Sequence, residues 1–259
     1  MKTVWLLKSS ESSDGRYRDA LTEAGFSAVV VPTLSFQWCN ERVLRDALQK
    51  PQDHTGIIFT SQRAVEAVAE IYGKLEVSIH HQWSEKKVFV IGEATQMAVQ
   101  KLLKLPSIGQ ESGNAQQLAL IIIRETKPFD KPLLYPCGSL GRDELPKLLA
   151  QQDRDFRALT TYETSPHCNL RQTIQKLIAA GQMPHVAVFF SPSGVKFALP
   201  VFEELKVSTT GVKIVAIGPT TNTALVEHKQ LVWGVCPSQA LMASCVCLLV
   251  SIRCSSREL

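Results

Sequence analysis

Short apolar segments alternate along this chain with segments of helical periodicity, and this alternation constrains the fold more than any other feature. The apolar segments are continuous runs of Val, Ile, Leu and Phe, as expected of strands that are covered on both faces. Helical patterns lie between them, for example at 61–72 and 193–205. The pattern predicts an α/β fold built on parallel sheets. The predicted strands are residues 3–7, 27–31, 56–60, 88–91, 131–135, 186–190, 213–217 and 231–235.

One strand–turn–helix pattern occurs twice. The run Gly-Ile-Ile-Phe-Thr-Ser begins at residue 56, and Ala-Val-Phe-Phe-Ser-Pro-Ser begins at residue 187. Each is followed by a second strand that ends in glycine, at Gly92 and at Gly218. Because both the order and nearly the spacing repeat, we expect two related domains of one architecture.

The repeated turns present hydroxyl side chains at predicted helix starts. A helix N-terminus has unpaired N–H groups and the positive end of the helix dipole, so it can hold an anion. Ligands of open α/β folds bind at the carboxyl ends of the strands, where these turns lie. Simple helix capping by Ser and Thr is the alternative interpretation of any single turn.

Charge and length exclude several classes of protein. The 259 residues suit two domains, and 28 basic against 24 acidic residues give a net charge of +4. No basic run exceeds two residues, so we expect no nucleic-acid partner. The longest apolar segment, 240–250, is too short to span a bilayer, and we expect no membrane association.

The cysteines and the N-terminus favour an intracellular protein. Seven cysteines is an odd number without a disulfide framework, which is typical of a reducing compartment. The apolar stretch after Met1 is too short for a signal peptide. We therefore expect the protein in the cytosol.

The motifs of cofactor, metal and nucleophile chemistry are missing. The chain has no G-x-G-x-x-G, Walker, H-E-x-x-H, C-x-x-C or G-x-S-x-G motif. We expect no cofactor and no metal. An enzyme of this kind would act by holding a reactive substrate in one geometry.

Arg142 follows a predicted strand and a Pro/Gly turn, in the first turn of a predicted helix. A basic residue there does not stabilise the helix dipole, so it is a candidate contact for a carboxylate or phosphate. A solvated surface arginine is the alternative.

An ordered set of eight motifs runs along the chain. The motifs are Val-Pro-Thr-Leu-Ser-Phe at 31–36, Gly-Ile-Ile-Phe-Thr-Ser-Gln-Arg-Ala-Val-Glu at 56–66, Val-Ile-Gly-Glu-Ala-Thr at 90–95, Gly-Asn-Ala at 113–115, Leu-Tyr-Pro-Cys-Gly-Ser at 134–139, Tyr-Glu-Thr at 162–164, Phe-Phe-Ser-Pro-Ser-Gly at 189–194 and Ala-Ile-Gly-Pro-Thr-Thr at 216–221. No single motif is specific, but their order along residues 1–239 is. Taken together, they resemble one family, uroporphyrinogen-III synthase, and its animal branch most closely.

The resemblance implies two similar parallel-sheet α/β domains joined by a two-stranded β linker, with a cleft between them. One domain would combine 1–35 with 167–259, and the other would span 38–164. The hinge strands would lie near 35–37 and 161–166. The alternating pattern at 156–162 suits a partly exposed strand.

The resemblance also implies the chemistry. The family's members are lyases of porphyrin and haem biosynthesis that cyclise linear hydroxymethylbilane, with loss of water and inversion of ring D, to uroporphyrinogen III. The path runs through an azafulvene cation and a spiro intermediate and uses no cofactor. Without enzyme the bilane closes to isomer I, so the enzyme must favour one cyclisation over another. A monomer and a transient hand-over from the upstream deaminase are further expectations.

Residue roles are carried over as hypotheses. Tyr162 matches the family's candidate acid, whose phenol would assist loss of the hydroxyl. Arg63 and Arg142 match basic positions that would neutralise substrate carboxylates. Seven hydroxyl residues would bind carboxylates together with backbone N–H groups: Thr60, Ser61, Thr95, Ser191, Ser193, Thr220 and Thr221.

One departure and two rival functions remain open. After Gln239 the chain carries no charge from Ala240 to Ile252, where the family usually has a charged last helix. This tail either forms a buried last helix or weakens its domain. A non-catalytic protein that binds an anionic metabolite would share every turn but would not need Tyr162. A phosphosugar isomerase would need a base, and only Glu93 lies in a motif.

Overall fold

The computed structural model describes residues 2–9, 14–141, 144–237 and 244. The chain divides into two compact units, one containing residues 1–35 and 165–259 and the other residues 36–164. Arg142 and the uncharged tail lie outside the described residues, apart from Ser244.

Ten strands and ten helices are described, together with two short 3-10 turns. The strands are β1 (Lys2–Lys8), β2 (Phe26–Pro32), β3 (Leu34–Trp38), β4 (Gly56–Phe59), β5 (Lys87–Val90), β6 (Leu133–Gly138), β7 (Phe156–Pro166), β8 (Val186–Phe189), β9 (Lys213–Ile217) and β10 (Val232–Cys236). The helices are α1 (Asp14–Glu23), α2 (Glu41–Leu48), α3 (Gln62–Tyr72), α4 (Val77–Ser84), α5 (Glu93–Leu102), α6 (Ala115–Glu125), α7 (Glu144–Ala150), α8 (Leu170–Ala179), α9 (Pro192–Glu204) and α10 (Pro219–Glu227). The 3-10 turns are Pro51–Asp53 and Gln110–Ser112.

The sheet of the first unit has the strand order β10-β9-β8-β1-β2, and neighbouring strands are parallel. Successive residues of β1 pack on opposite faces. Trp5 and Leu7 belong to one apolar cluster, whereas Val4 and Leu6 belong to another. The continuous apolar run therefore reflects a strand with a core on each face.

The sheet of the second unit has the order β3-β7-β6-β4-β5, in which β5, β4, β6 and β7 pair in parallel. Its strand β4, which lies between β6 and β5, is also buried on both faces. Ile57 and Phe59 lie in one cluster, and Ile58 lies in the other. The predicted α/β class with two parallel sheets is confirmed, and the eight predicted strands match observed strands to within a few residues at each end.

Strands β3 and β7 contain the two segments, 35–37 and 161–166, that the resemblance implies as hinge strands. The N–H of Cys39 donates to the oxygen of Thr161, the N–H of His167 donates to the oxygen of Thr33, and the hydroxyls of Ser35 and Ser165 lie 3.1 Å apart. Residue numbers rise along β3 as they fall along β7, so the pair is antiparallel. The divisions at 35/36 and 164/165 fall within these two strands.

The repeated motif has nearly the same backbone in both units. Ser61 has φ −154° and ψ 149°, and Ser191 has φ −159° and ψ 155°. Gly92 has φ 77° and ψ 153°, and Gly218 has φ 80° and ψ 160°. The positive φ explains why glycine stands at both of these helix starts.

No helix in the part of the chain that the structure describes is long and apolar enough to cross a membrane.

His54 is a buried titratable residue that precedes β4, at the opposite end of this strand from Thr60 and Ser61. Its side chain is 2% exposed, its ring stacks on Trp83 at 6.1 Å, and its Nδ1 lies 3.3 Å from the oxygen of Pro132. Burial lowers the pKa of His54, although the bond to Pro132 opposes this. The imidazole is therefore neutral in the folded protein near pH 7.

Folding stability should depend on pH through His54. Since its pKa is lower when folded, the unfolded chain takes up the proton first as pH falls. The stabilising contribution is full above the ordinary His pKa of 6.5 and is lost as pH falls towards the folded pKa. Urea unfolding at pH 7.5 and 5.5 should show a larger loss of stability in wild type than in His54→Gln. Equal losses in the two proteins would contradict this.

Candidate active site

The candidate site of the second unit lies where its strand order changes direction. Strand β5 follows β4 in sequence and pairs on one side of it, whereas β6 pairs on the other side. Ligands of open α/β sheets bind at the carboxyl ends of such strands. Thr60 and Ser61 directly follow the carboxyl end of β4, and both are half-buried.

Tyr162 brings a phenol to this turn. Its hydroxyl lies 3.1 Å from the Ser61 hydroxyl, which also accepts a bond from the N–H of Ala64. The rings of Phe36 and Trp38 meet the Tyr162 ring edge-on, at 5.8 and 6.4 Å between centroids. The phenol is thus held between one hydroxyl partner and two aromatic neighbours.

The environment keeps Tyr162 protonated. Burial is the largest influence and raises the pKa of the phenol, while the Ser61 hydrogen bond and the Arg63 charge lower it and Cys137 and Glu66 raise it. The net pKa is above the ordinary value, so the phenol is a proton donor at neutral pH.

Tyr135 supplies a second phenol beside the first. Its hydroxyl lies 3.2 Å from the Thr60 hydroxyl, and its side chain is 4% exposed. Burial raises its pKa, as it does for Tyr162. Sequence reasoning assigned no role to Tyr135. A phenol within an apolar strand was the available signal, since its hydroxyl needs a buried partner.

Arg63 is engaged within its own helix. Its guanidinium pairs with the Glu66 carboxylate, three residues later, and lies 4.6 Å from the centre of the Phe36 ring. An incoming carboxylate would therefore compete with Glu66 or join it around Arg63.

The first unit repeats the arrangement at the junction of β1 and β8. Ser191 caps α9 by accepting a bond from the N–H of Gly194, as Ser61 does for α3, and Ser193 is half-buried in the first turn. Lys8 ends β1 at this edge with 7% exposure, and its ammonium lies 5.0 Å from the Tyr17 ring centre. Sequence reasoning did not single out Lys8.

Helices α5 and α10, which begin after Gly92 and Gly218, differ in how exposed their threonines are. Thr220 is exposed in the first turn of α10, whereas Thr221 and Thr95 are 1% and 5% exposed. A ligand at these turns would meet the Thr220 hydroxyl and backbone N–H groups before the two buried hydroxyls. Substrate binding by the three threonines stays a prediction.

The structure thus groups Thr60, Ser61, Arg63 and Tyr162 around one turn, and it places Ser191 and Ser193 at the corresponding turn of the other unit. Arg142 lies outside the described residues. Among the described residues, no three His, Cys, Asp or Glu side chains come close enough together to hold a metal ion.

The caps make a stability prediction. Ser191→Ala should lower the free energy of unfolding by about 1 kcal/mol, because the N–H of Gly194 loses its acceptor. Ser193→Ala is the control and should cost less, since Ser191 still caps the helix. Denaturant unfolding of both variants measures the difference, and equal effects would argue against a capping role.

Comparison with known proteins gives consistent matches. A family model described as uroporphyrinogen-III synthase HemD matches residues 15–246. The chain is 30% identical over 230 residues to the uroporphyrinogen-III synthase of Schizosaccharomyces pombe, with 87% of each chain covered. It is 28% identical over 245 residues to that of Saccharomyces cerevisiae, again with 87% of each covered.

Two solved structures share the fold. Uroporphyrinogen-III synthetase from Helicobacter pylori has a TM-score of 0.64 at 18% identity, covering 98% of this chain and 100% of the other. A mutant uroporphyrinogen III synthase from Thermus thermophilus has a TM-score of 0.63 at 16% identity, covering 97% and 100%. At these identities the likeness concerns the fold alone.

Proposed function

The chain belongs to the uroporphyrinogen-III synthase family, and from this premise we propose that it cyclises hydroxymethylbilane, with loss of water and inversion of ring D, to uroporphyrinogen III. It is a lyase of haem biosynthesis. At the level of residues, the proposal depends on the pairing of the Tyr162 phenol with the Ser61 hydroxyl at the end of β4.

Tyr162 is the proton donor in this proposal. Because Ser61 Oγ accepts from the N–H of Ala64, its own O–H can donate to the phenol oxygen. The phenol proton is then directed to the substrate hydroxyl, which leaves as water, and Ser61 stabilises the phenolate that forms. Ring closure later releases one proton from the attacked pyrrole carbon, which restores the phenol.

The hydroxyl turns bind the substrate's carboxylates. Ser61 and Ser191 each begin a helix whose N-terminal N–H groups and dipole favour a negative charge. Thr60, Ser193, Thr220 and Thr221, with Thr95, would add hydroxyl donors or shape the turns. Arg63, and Arg142 by the family resemblance, would supply positive charge.

Restraint of the substrate is the larger part of the task. The bilane is reactive and cyclises unaided, so the enzyme must favour the geometry that leads to the inverted isomer. Fixed carboxylate contacts at several turns would hold the chain of pyrroles in that geometry.

The cellular setting forms part of the same proposal. We propose that the protein acts in the cytosol as a monomer and receives its labile substrate by transient hand-over from the upstream deaminase. A short path between the two enzymes would limit spontaneous closure to isomer I.

Complementation tests the function in a cell. The chain is expressed in Saccharomyces cerevisiae whose own uroporphyrinogen-III synthase gene is deleted, and growth without added haem is expected. Tyr162→Phe serves as the impaired control. No growth in cells that contain folded protein would contradict the proposal and would favour a protein that binds an anionic metabolite without converting it.

A further inference from the structure

Tyr162 reaches its partner by crossing a neighbouring strand. It lies on β7, whereas Ser61 follows β4, and β6 lies between these two strands in the sheet. The residue of β6 that pairs with Tyr162 is Gly138. The phenol must therefore pass over the backbone of Gly138 to come within 3.1 Å of the Ser61 hydroxyl.

Gly138 leaves no room for a side chain beneath the ring. A Cβ built on Gly138 would lie 2.5 Å from Cζ, 2.6 Å from Cε2 and 2.8 Å from the hydroxyl oxygen of Tyr162. Non-bonded atoms do not approach each other so closely, so the Tyr162 ring would have to move. The backbone of Gly138 is outside the left-handed region, and the contact with Tyr162 is thus what demands glycine here.

A bulge in β7 places Tyr162 opposite Gly138. The register passes from Cys137 opposite Thr160 directly to Gly138 opposite Tyr162, so Thr161 is the extra residue. Thr161 is 1% exposed, and its hydroxyl donates to the oxygen of Cys137 at 3.3 Å. The N–H of Ser139 donates to the oxygen of Tyr162 at 3.0 Å and fixes the backbone beyond the bulge.

We infer that Gly138 is a positioning residue of the reaction, which keeps the Tyr162 phenol against Ser61 by lacking a side chain. This inference rests on the proposed function for its catalytic consequence, but its structural consequence can be measured independently. Gly138 acts through Tyr162, and the two residues should therefore behave as one unit.

Gly138→Ala tests the inference kinetically. The kcat should fall about 10-fold or more, towards that of Tyr162→Phe, while KM stays within about twofold, because the carboxylate-binding turns are untouched. In a Tyr162→Phe background the alanine should lower kcat no further. Gly73→Ala is the matched control, since Gly73 has φ −62° and its added Cβ would meet the oxygen of Ala69 at an ordinary 3.7 Å.

The position of the phenol can be followed without any assay of activity. Protein labelled with 13C at the tyrosine ζ carbon gives four signals, and the one lost in Tyr162→Phe belongs to Tyr162. Gly138→Ala should shift this signal and leave those of Tyr17 and Tyr72 in place. Thr161→Val, which removes the bond to Cys137, should shift it as well and provides a second variant if Gly138→Ala folds poorly.

The outcomes separate the two hypotheses. A Tyr162 signal unchanged in Gly138→Ala would overturn the inference, and so would a wild-type kcat or a full further loss in the double variant. A wild-type protein that forms no uroporphyrinogen III would overturn the proposed function, while the tyrosine signal would still decide the role of Gly138.

Discussion

Replacing Tyr162 with phenylalanine is expected to lower kcat about 100-fold, in line with the usual effect of removing a general acid. The change removes one hydroxyl and leaves the ring between Phe36 and Trp38. The lost hydrogen bond to Ser61 is worth about 1 kcal/mol, so the melting temperature should fall by less than about 4 °C. Initial rates with bilane generated in situ, together with thermal unfolding, measure both quantities.

Tyr72→Phe is the matched control for this prediction. The Tyr72 hydroxyl donates to the oxygen of His80 at 3.5 Å, and its ring is buried against the His80 ring, away from the Thr60–Ser61 turn. This variant should keep the wild-type kcat. A Tyr162→Phe protein with the wild-type kcat would show that the phenol is not the acid.

Phe59→Ala should lower the free energy of unfolding by about 3–5 kcal/mol, as do other truncations of large buried aromatic residues. Phe59 is 0% exposed in the interior strand β4, and it packs in the cluster that contains Leu44 and Val65. Its removal leaves a cavity directly before Thr60, so activity should fall together with stability. Urea unfolding followed by circular dichroism measures the loss.

Phe129→Ala removes the same side chain from the surface of the same unit. Phe129 is 81% exposed, and its truncation should change stability by less than about 0.5 kcal/mol. Similar losses in the two variants would contradict the placement of Phe59 in the core.

The strands could be predicted because buried strands are composed almost entirely of apolar residues. A run such as 186–190 is apolar at every position, as expected of a strand that is covered on both faces. The helix caps could also be predicted, since Ser61 and Ser191 directly precede helical patterns. In the structure each serine accepts a hydrogen bond from the N–H three residues later. The helix α4 (Val77–Ser84) was not predicted, because only Trp83 is buried and no apolar periodicity results.

The repeat explains why one unit is discontinuous in sequence. Strand β4 has β5 on one side and β6, then β7, on the other. Strand β8 has β9 on one side and β1, then β2, on the other. The strand that precedes the Ser61 or Ser191 turn therefore has equivalent neighbours in the two units. In one unit the equivalents of β6 and β7 are β1 and β2, which come from the start of the chain.

The site was only partly predictable. The sequence shows which hydroxyl residues follow the strands, but it does not show which of these hydroxyls are exposed to a ligand. Thr95 and Thr221, for example, are buried. The crossing of Tyr162 over Gly138 depends on strand order and on a one-residue bulge, neither of which has a local signal in the sequence.

Product-isomer analysis tests the central claim most directly. Hydroxymethylbilane is generated in situ by its upstream deaminase, the folded protein is added, and the oxidised uroporphyrins are separated by chromatography. The account predicts that the product changes from isomer I to isomer III as protein is added, with Tyr162→Phe shifting it far less at equal concentration. Isomer I alone, from protein whose circular dichroism shows a folded α/β chain, would contradict it.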